Sequence, residues 1–168
     1  MNTTPNTPAG TPDHDARVGF APEEIDTSGP TRAARLKWVV VVNDSMPAGR
    51  AVNAAVCVAG ATVAGVPGLL GPAAVDGEGT AHPGLPWAGC SILVADPETL
   101  RTIRNKGHAH EAVFVADMPD AAQSTRVYDD YLTAIEASSP DGIDYLAVSL
   151  VGPKNRIDRI AGRLPLMP

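Results

Sequence analysis

KWVVVVNDSMPAGRAVNAAVCVAGATVAGV, residues 37–66, decides the fold of this chain. It begins with an unbroken β-branched run, Val39 to Val42, closed by Asn43-Asp44-Ser45. A short continuous apolar run bounded by turn residues predicts a strand buried on both faces, as in the middle of an α/β sheet. Pro47 then predicts the first turn of a helix, with Asp44 or Ser45 as its cap. Val52, Val56, Ala59 and Val63 recur every three or four residues and predict the helix face turned to the core. Free N–H groups and a positive dipole end converge where a buried strand feeds a capped helix, so the expected site lies there.

The surrounding composition narrows the class. With 168 residues, 44% of them hydrophobic and 19% charged, the chain can bury the core of one domain plus a tail. Aromatics make up only 4%, so that core must be Val, Leu, Ile and Ala at close range. A formal charge of −6 argues against general affinity for nucleic acid, because phosphate binding needs clustered Lys and Arg. Cys57 and Cys90 fall in apolar contexts and are expected to be buried thiols in a reducing compartment. No apolar run approaches the ~20 residues of a membrane span. The first residues lack the charged-then-apolar order of a signal peptide. No membrane partner and a cytoplasmic location are expected.

Outward from the opening stretch, residues 1–30 are rich in Pro, Thr, Asp and Gly, with Phe20 and Ile25 almost alone as large apolar groups. Such a segment predicts a disordered tail, with local docking near Phe20, ahead of a domain over residues 31–168. Residues 67–86 carry Gly and Pro throughout and predict a long loop. Residues 89–95 predict a second strand. Asp96-Pro97-Glu98 caps and opens a helix running to Lys106, with Gly107 ending it. Residues 112–116 predict a third strand closed by Asp117-Met118-Pro119. Residues 121–137 predict one helix, with Val127, Tyr131 and Ile135 on its core face. Residues 145–151 predict a fourth strand, antiparallel because the return is short. Gly152-Pro153 opens a last helix with Ile157 and Ile160 inward, ended by Gly162. The fold class is α/β, a three-layer sandwich around a four-stranded mixed sheet.

Two stretches carry a family resemblance. Met46-Pro47-Ala48-Gly49-Arg50 followed by Ala54-Ala55-Val56-Cys57 resembles the first helix of type II peptidyl-tRNA hydrolases, M-G-K-G-K-x-A-A-Q-C-S-H-A. Gly152-Pro153, Ile157-Asp158-Arg159-Ile160 and Gly162-Arg163-Leu164 resemble that family's closing G-P-x-x-x-I-D-x-x-T-G-x-L-K-L. Leu85-Pro86-Trp87-Ala88-Gly89, residues 123–131 and Leu164-Pro165-Leu166 are closer to a sister group, the domain-of-unknown-function family 2000. The resemblance spans roughly residues 36–167 and implies a peptidyl-tRNA hydrolase-like fold. Aligned without gaps, Gly49 matches the first glycine and Arg50 the first lysine. Val52 replaces the second lysine and Ala59 the histidine. Asp117 matches the aspartate after the third strand, but Met118-Pro119-Asp120-Ala121 replaces the A-G-R-T-Q that follows it. Peptidyl-tRNA hydrolysis is not expected of a polar set reduced to one cation and one carboxylate.

Two readings of function follow. In the first, the protein is a hydrolase acting on an acyl ester or amide of a small molecule. Arg50 then anchors an anion, and Asp117 activates water. Asn43, Asp44, Gly49, Tyr128 and Trp87 form the expected binding set around them. This mechanism requires the first and third strands to be parallel neighbours. In the second, the same pocket binds a small anionic metabolite or a protein without chemistry. The alternative role of Arg50 is a local pair with Asp44, and that of Asp117 a turn cap. His108 and His110 lack a third ligand for a metal and read as an exposed loop. Lys154, Arg156, Arg159 and Arg163 read as a solvated basic face. No cofactor is expected; a small-molecule ligand is, and homodimerisation stays open.

Overall fold

The structure, a computed structural model, describes residues 18–168. The run at its centre becomes β1, Leu36–Asn43, in which Val39 to Val42 are 0–1% exposed. Helix α1 spans Ala48–Gly65, followed by a two-residue-per-strand hairpin, β2 (Ala74–Val75) and β3 (Ala81–His82). Then come β4 (Ser91–Ala95), α2 (Pro97–His108) and β5 (Phe114–Pro119). The chain closes through α3 (Ala121–Ser124), α4 (Tyr128–Glu136), β6 (Tyr145–Pro153) and α5 (Lys154–Ala161). The main sheet has the order β4-β1-β6-β5; β4 is parallel to β1, and β6 is antiparallel to both β1 and β5. It is a mixed four-stranded α/β sheet with a small second sheet.

β1 is apolar on both faces because both are covered. Trp38, Val40 and Val42 meet α1 together with Phe114, Ala116 and Met118. Val39 and Val41 meet Leu100 and Ile103 of α2 and Ile157 of α5. Inside the α1 side of the core, the indole of Trp38 and the hydroxyls of Thr62 and Ser149 satisfy one another. Trp38 Nε1 donates to Ser149 Oγ at 2.8 Å, and Thr62 Oγ1 lies 2.7 Å from both Ser149 Oγ and the Val58 carbonyl.

Several expectations are corrected. The inward face of α1 is Ala51, Ala54, Val58 and Thr62, whereas Val52 and Val56 are 54% and 64% exposed. The sheet side is already filled by Trp38 and Phe114, so the helix approaches with its small residues. A Cβ on Gly65 would come within 2.4 Å of the Phe114 ring. Pro47, not Asp44 or Ser45, occupies the cap position, with no side-chain cap bond; Asn43 Oδ1 instead accepts from Ser45 N and Ser45 Oγ at 2.9 and 2.7 Å. The loop over 67–86 contains the β2–β3 hairpin, whose turn is organised by Asp76 Oδ1 accepting from the amides of Glu78 and Thr80.

Gly107 does not end α2 but lies inside it, against Leu150 and Val115, where a Cβ would sit at 2.7–2.8 Å. The Asp96 cap holds, accepting from Thr99 N at 2.9 Å. The single helix expected over 121–137 is two, because Thr125 is extended and its hydroxyl donates back to the Ala121 carbonyl at 2.8 Å. No residue of α4 is fully buried.

Both cysteines, expected buried, are exposed residues, although the Cys90 thiol is desolvated beside Val40 and burial pushes it up to about 12. As for the expected tail, residues 1–17 lie outside the described residues. From Val18 onward the chain packs: Val18 and Phe20 are 3% and 4% exposed, and Phe20 N donates to the Pro67 carbonyl.

Candidate functional site

The expected site residues separate into three places. Asn43 and Arg50 line a small cleft of about 270 Å³ at the end of β1, with Ser45, Asp120, Asp144 and Tyr145. Arg50 does not pair with Asp44. Its Nε donates to Gln123 Oε1 at 2.7 Å, and one terminal nitrogen lies 3.3 Å from Asp120 Oδ1. Gln123 Nε2 returns a bond to the Arg50 carbonyl at 3.0 Å and another to Asn53 Oδ1 at 2.9 Å. The guanidinium is thus occupied, and the cleft's two carboxylates oppose an anion. Gly49 is open, with nothing within 4 Å of a Cβ placed there, and Asp44 is exposed. Trp87 lines neither cleft. Its indole donates to the Gly68 carbonyl at 2.8 Å and its ring lies 4.8 Å from that of Phe20, so it anchors the loop after α1.

Asp117 and Tyr128 converge elsewhere, in a larger cleft of about 560 Å³. β5 is an edge strand, and the cleft runs along it between Cys57 and Ala61 of α1 and the 125–131 stretch. The interrupted helix makes this space. The break at Thr125 turns Arg126, Val127 and Tyr128 to the rim and sends Tyr131 toward Asp117. Tyr128 and Tyr131 stack edge-to-face at 5.4 Å. Burial pushes the Tyr131 phenol up, and Tyr128 and the Asp117 charge add to the rise. It stays a protonated donor at neutral pH.

Asp117 lies inside β5 and not at its end, and its side chain turns to α2, the face of the sheet opposite α1. Arg104 Nε donates to Asp117 Oδ2 at 2.8 Å, and His108 Nε2 is 3.9 Å from the same oxygen. Burial pushes the Asp117 carboxyl up, but His108 and the Arg104 guanidinium outweigh it and hold the carboxyl below its ordinary value. At 3.9 Å the imidazole nitrogen is beyond hydrogen-bond reach of that oxygen, and the Arg104 contact is the firm one. Arg104 also sits over the Tyr145 ring, 5.2 Å from its centroid.

Neither Arg104 nor the link from His108 to Asp117 was expected from the sequence. The signal was present: the two lie four apart on the helix directly before the Asp117 strand, which places both on one face. The first and third expected strands, β1 and β5, are parallel but not neighbours, because β6 lies between them. Arg50 and Asp117 consequently share no cleft. The last helix's basic side is partly engaged. Lys37 pairs with Asp158 at 2.6 Å, Lys154 Nζ donates to the Arg32 carbonyl at 2.5 Å, and Arg156 lies 3.4 Å from His110.

A four-stranded mixed sheet with α1 on one face, α2 and α5 on the other, and an edge cleft defines the molecule as an α/β domain with a candidate ligand site beside β5. The chain belongs to the family described as protein of unknown function, DUF2000, whose sequence profile matches residues 36–168. A solved structure of a protein of unknown function from Agrobacterium tumefaciens strain C58 shares the fold, with a TM-score of 0.72 at 18% identity, covering 80% of this chain and 98% of that one. Among curated proteins, none matches the chain.

Proposed function

We propose that the protein is a binding module for a small amphiphilic anion, held in the cleft beside β5 without chemical conversion. One observation carries this reading: the cleft pairs an apolar wall with a single uncommitted cation. Cys57, Val58, Ala61, Met118 and Val127 supply the wall. Arg126 has no carboxylate partner among the described residues, whereas the Asp117 charge is offset by Arg104 at 2.8 Å. A volume near 560 Å³ suits a small ligand. A carboxylate on an apolar chain fits both features, with the guanidinium gripping the head and Tyr128 covering the chain.

The hydrolase reading is supported by Asp117 and Tyr131 lining the same cleft and by the resemblance to type II peptidyl-tRNA hydrolases. Against it, a general base works best with a pKa near the working pH, and the Asp117 carboxyl is depressed. The anion anchor assigned to that mechanism, Arg50, is bound by Gln123 and Asp120 in another cleft.

A panel of medium-chain carboxylates, followed by thermal shift and calorimetry, tests the proposal. We expect a concentration-dependent rise in Tm that Arg126→Ala abolishes and Arg50→Ala leaves intact. No shift across the panel, or a shift indifferent to Arg126, overturns the binding reading. Turnover of a chromogenic acyl ester that disappears in Asp117→Asn would replace it with the hydrolase.

A further inference from the structure

Helix α1 has an outer face that nothing among the described residues covers. From Ala51 to Gly65 it carries no Asp, Glu, Lys or Arg. The helix reaches a mean hydropathy of 1.2, yet only 22% of it is buried. Val52, Val56, Cys57, Gly60, Ala61 and Ala64 form that face. Across the mouth of the cleft it continues into Val127 and Leu132, which are 54% and 50% exposed, and Tyr128. A contiguous apolar patch of this kind exceeds the scattered exposure normal for a monomer.

We propose that a second copy of this chain covers the face, making a two-fold homodimer with α1 packed against α1. Charge selects this occupant. Each chain carries −6, so identical copies repel over most of their surface and approach best through a face without charge. The rim beside α4 holds both signs, the exposed Arg126 just ahead of the helix and the exposed Asp129 and Asp130 in its first turn, with no ion-pair partner for any of the three among the described residues. A two-fold axis makes such a rim self-complementary, because cation meets anion twice. The same acidic pair and the net charge disfavour an anionic lipid surface. Gly60, Ala61 and Ala64 lack bulk, so the two helix backbones can approach closely while Val52 and Val56 fill the flanks. The face shares Cys57, Ala61, Arg126, Val127 and Tyr128 with the cleft, so pairing would close over its mouth.

Sedimentation velocity of the full chain, from about 1 to about 100 µM, reads the association directly. The mass is expected to rise from monomer toward dimer. Gly60→Glu places a charge where a Cβ meets nothing within 4 Å, so it leaves the monomer folded and should weaken association at least about tenfold. Cys57 gives a second readout. Mild copper-catalysed oxidation should link Cys90→Ser chains into a covalent dimer and leave Cys57→Ser chains unlinked. A wild-type chain that stays monomeric at the top of the range, or a dimer indifferent to Gly60→Glu, overturns the proposal. So does a monomer that floats with phosphatidylcholine–phosphatidylserine vesicles and loses that binding in Gly60→Glu; the face would then belong to a membrane.

Discussion

Replacing Asp117 with Asn removes a charge whose partner, Arg104, cannot simply turn to water, since their side chains are 20% and 28% exposed. The cost should fall between that of surface pairs and fully buried pairs, about 1–3 kcal/mol at neutral pH. The sign with pH follows from the depressed carboxyl. The contribution is complete above the ordinary aspartate value of about 3.9 and disappears as acid carries the pH down through the lower folded value. Urea unfolding at pH 7 and at progressively lower pH should therefore separate wild type from Asp117→Asn in the first case and narrow the gap as the pH falls below the ordinary aspartate value. Equal stability at pH 7 would mean the ion pair contributes nothing.

Elements were legible where one residue type had one physical use. Val39 to Val42 can be apolar without alternation only if both faces are covered, and they are. The Asp96-Pro97 start of α2 was equally direct, because cap and first-turn chemistry are local. The inward face of α1 was not legible. Both faces of that helix are apolar in sequence, and which one turns inward depends on Trp38 and Phe114, which fill the sheet from outside the helix. The candidate site suffered for the same reason: its position beside β5 depends on β6 separating β1 from β5.

The segment before β1 shows the limit from the other side. Its composition is that of a tail, yet Val18 and Phe20 are buried, with Phe20 against Pro67 and Trp87, and Arg35 bonds the Glu24 carboxylate and the Gly19 carbonyl. Removing residues 1–30 should cost about 3 kcal/mol or more, as for a buried Phe→Ala change. That corresponds to a Tm lower by roughly 6–12 °C in a scanning calorimeter. Phe20→Ala alone should reproduce most of the loss. An unchanged melting temperature would show that these contacts do not stabilise the domain.

At the scale of the whole molecule, the two edges of the sheet are treated differently. β4 is closed by the last residues: Val94 N donates to the Pro165 carbonyl, and Met167 N donates to the Ile92 carbonyl at 2.9 Å. β5 borders the open cleft. Deleting residues 164–168 should bare the β4 edge and promote aggregation at unfolding temperatures, seen as rising light scattering, because an unpaired edge templates strand addition.

The sheet order also has a consequence for how the chain is made. β6, the last strand of this sheet to be synthesised, is the one between β1 and β5, and it pairs with β1 from Leu36 to Val42. A ribosome adding about 5–20 residues per second leaves β1 without its β6 neighbour for on the order of ten seconds. During that interval the Val39–Val42 ribbon is an open, adhesive surface on a nascent polypeptide. Folding must then await release of the C-terminal third. Chains arrested at residue 144 should show no cooperative unfolding and should bind a holdase chaperone, while chains completed through α5 should release it.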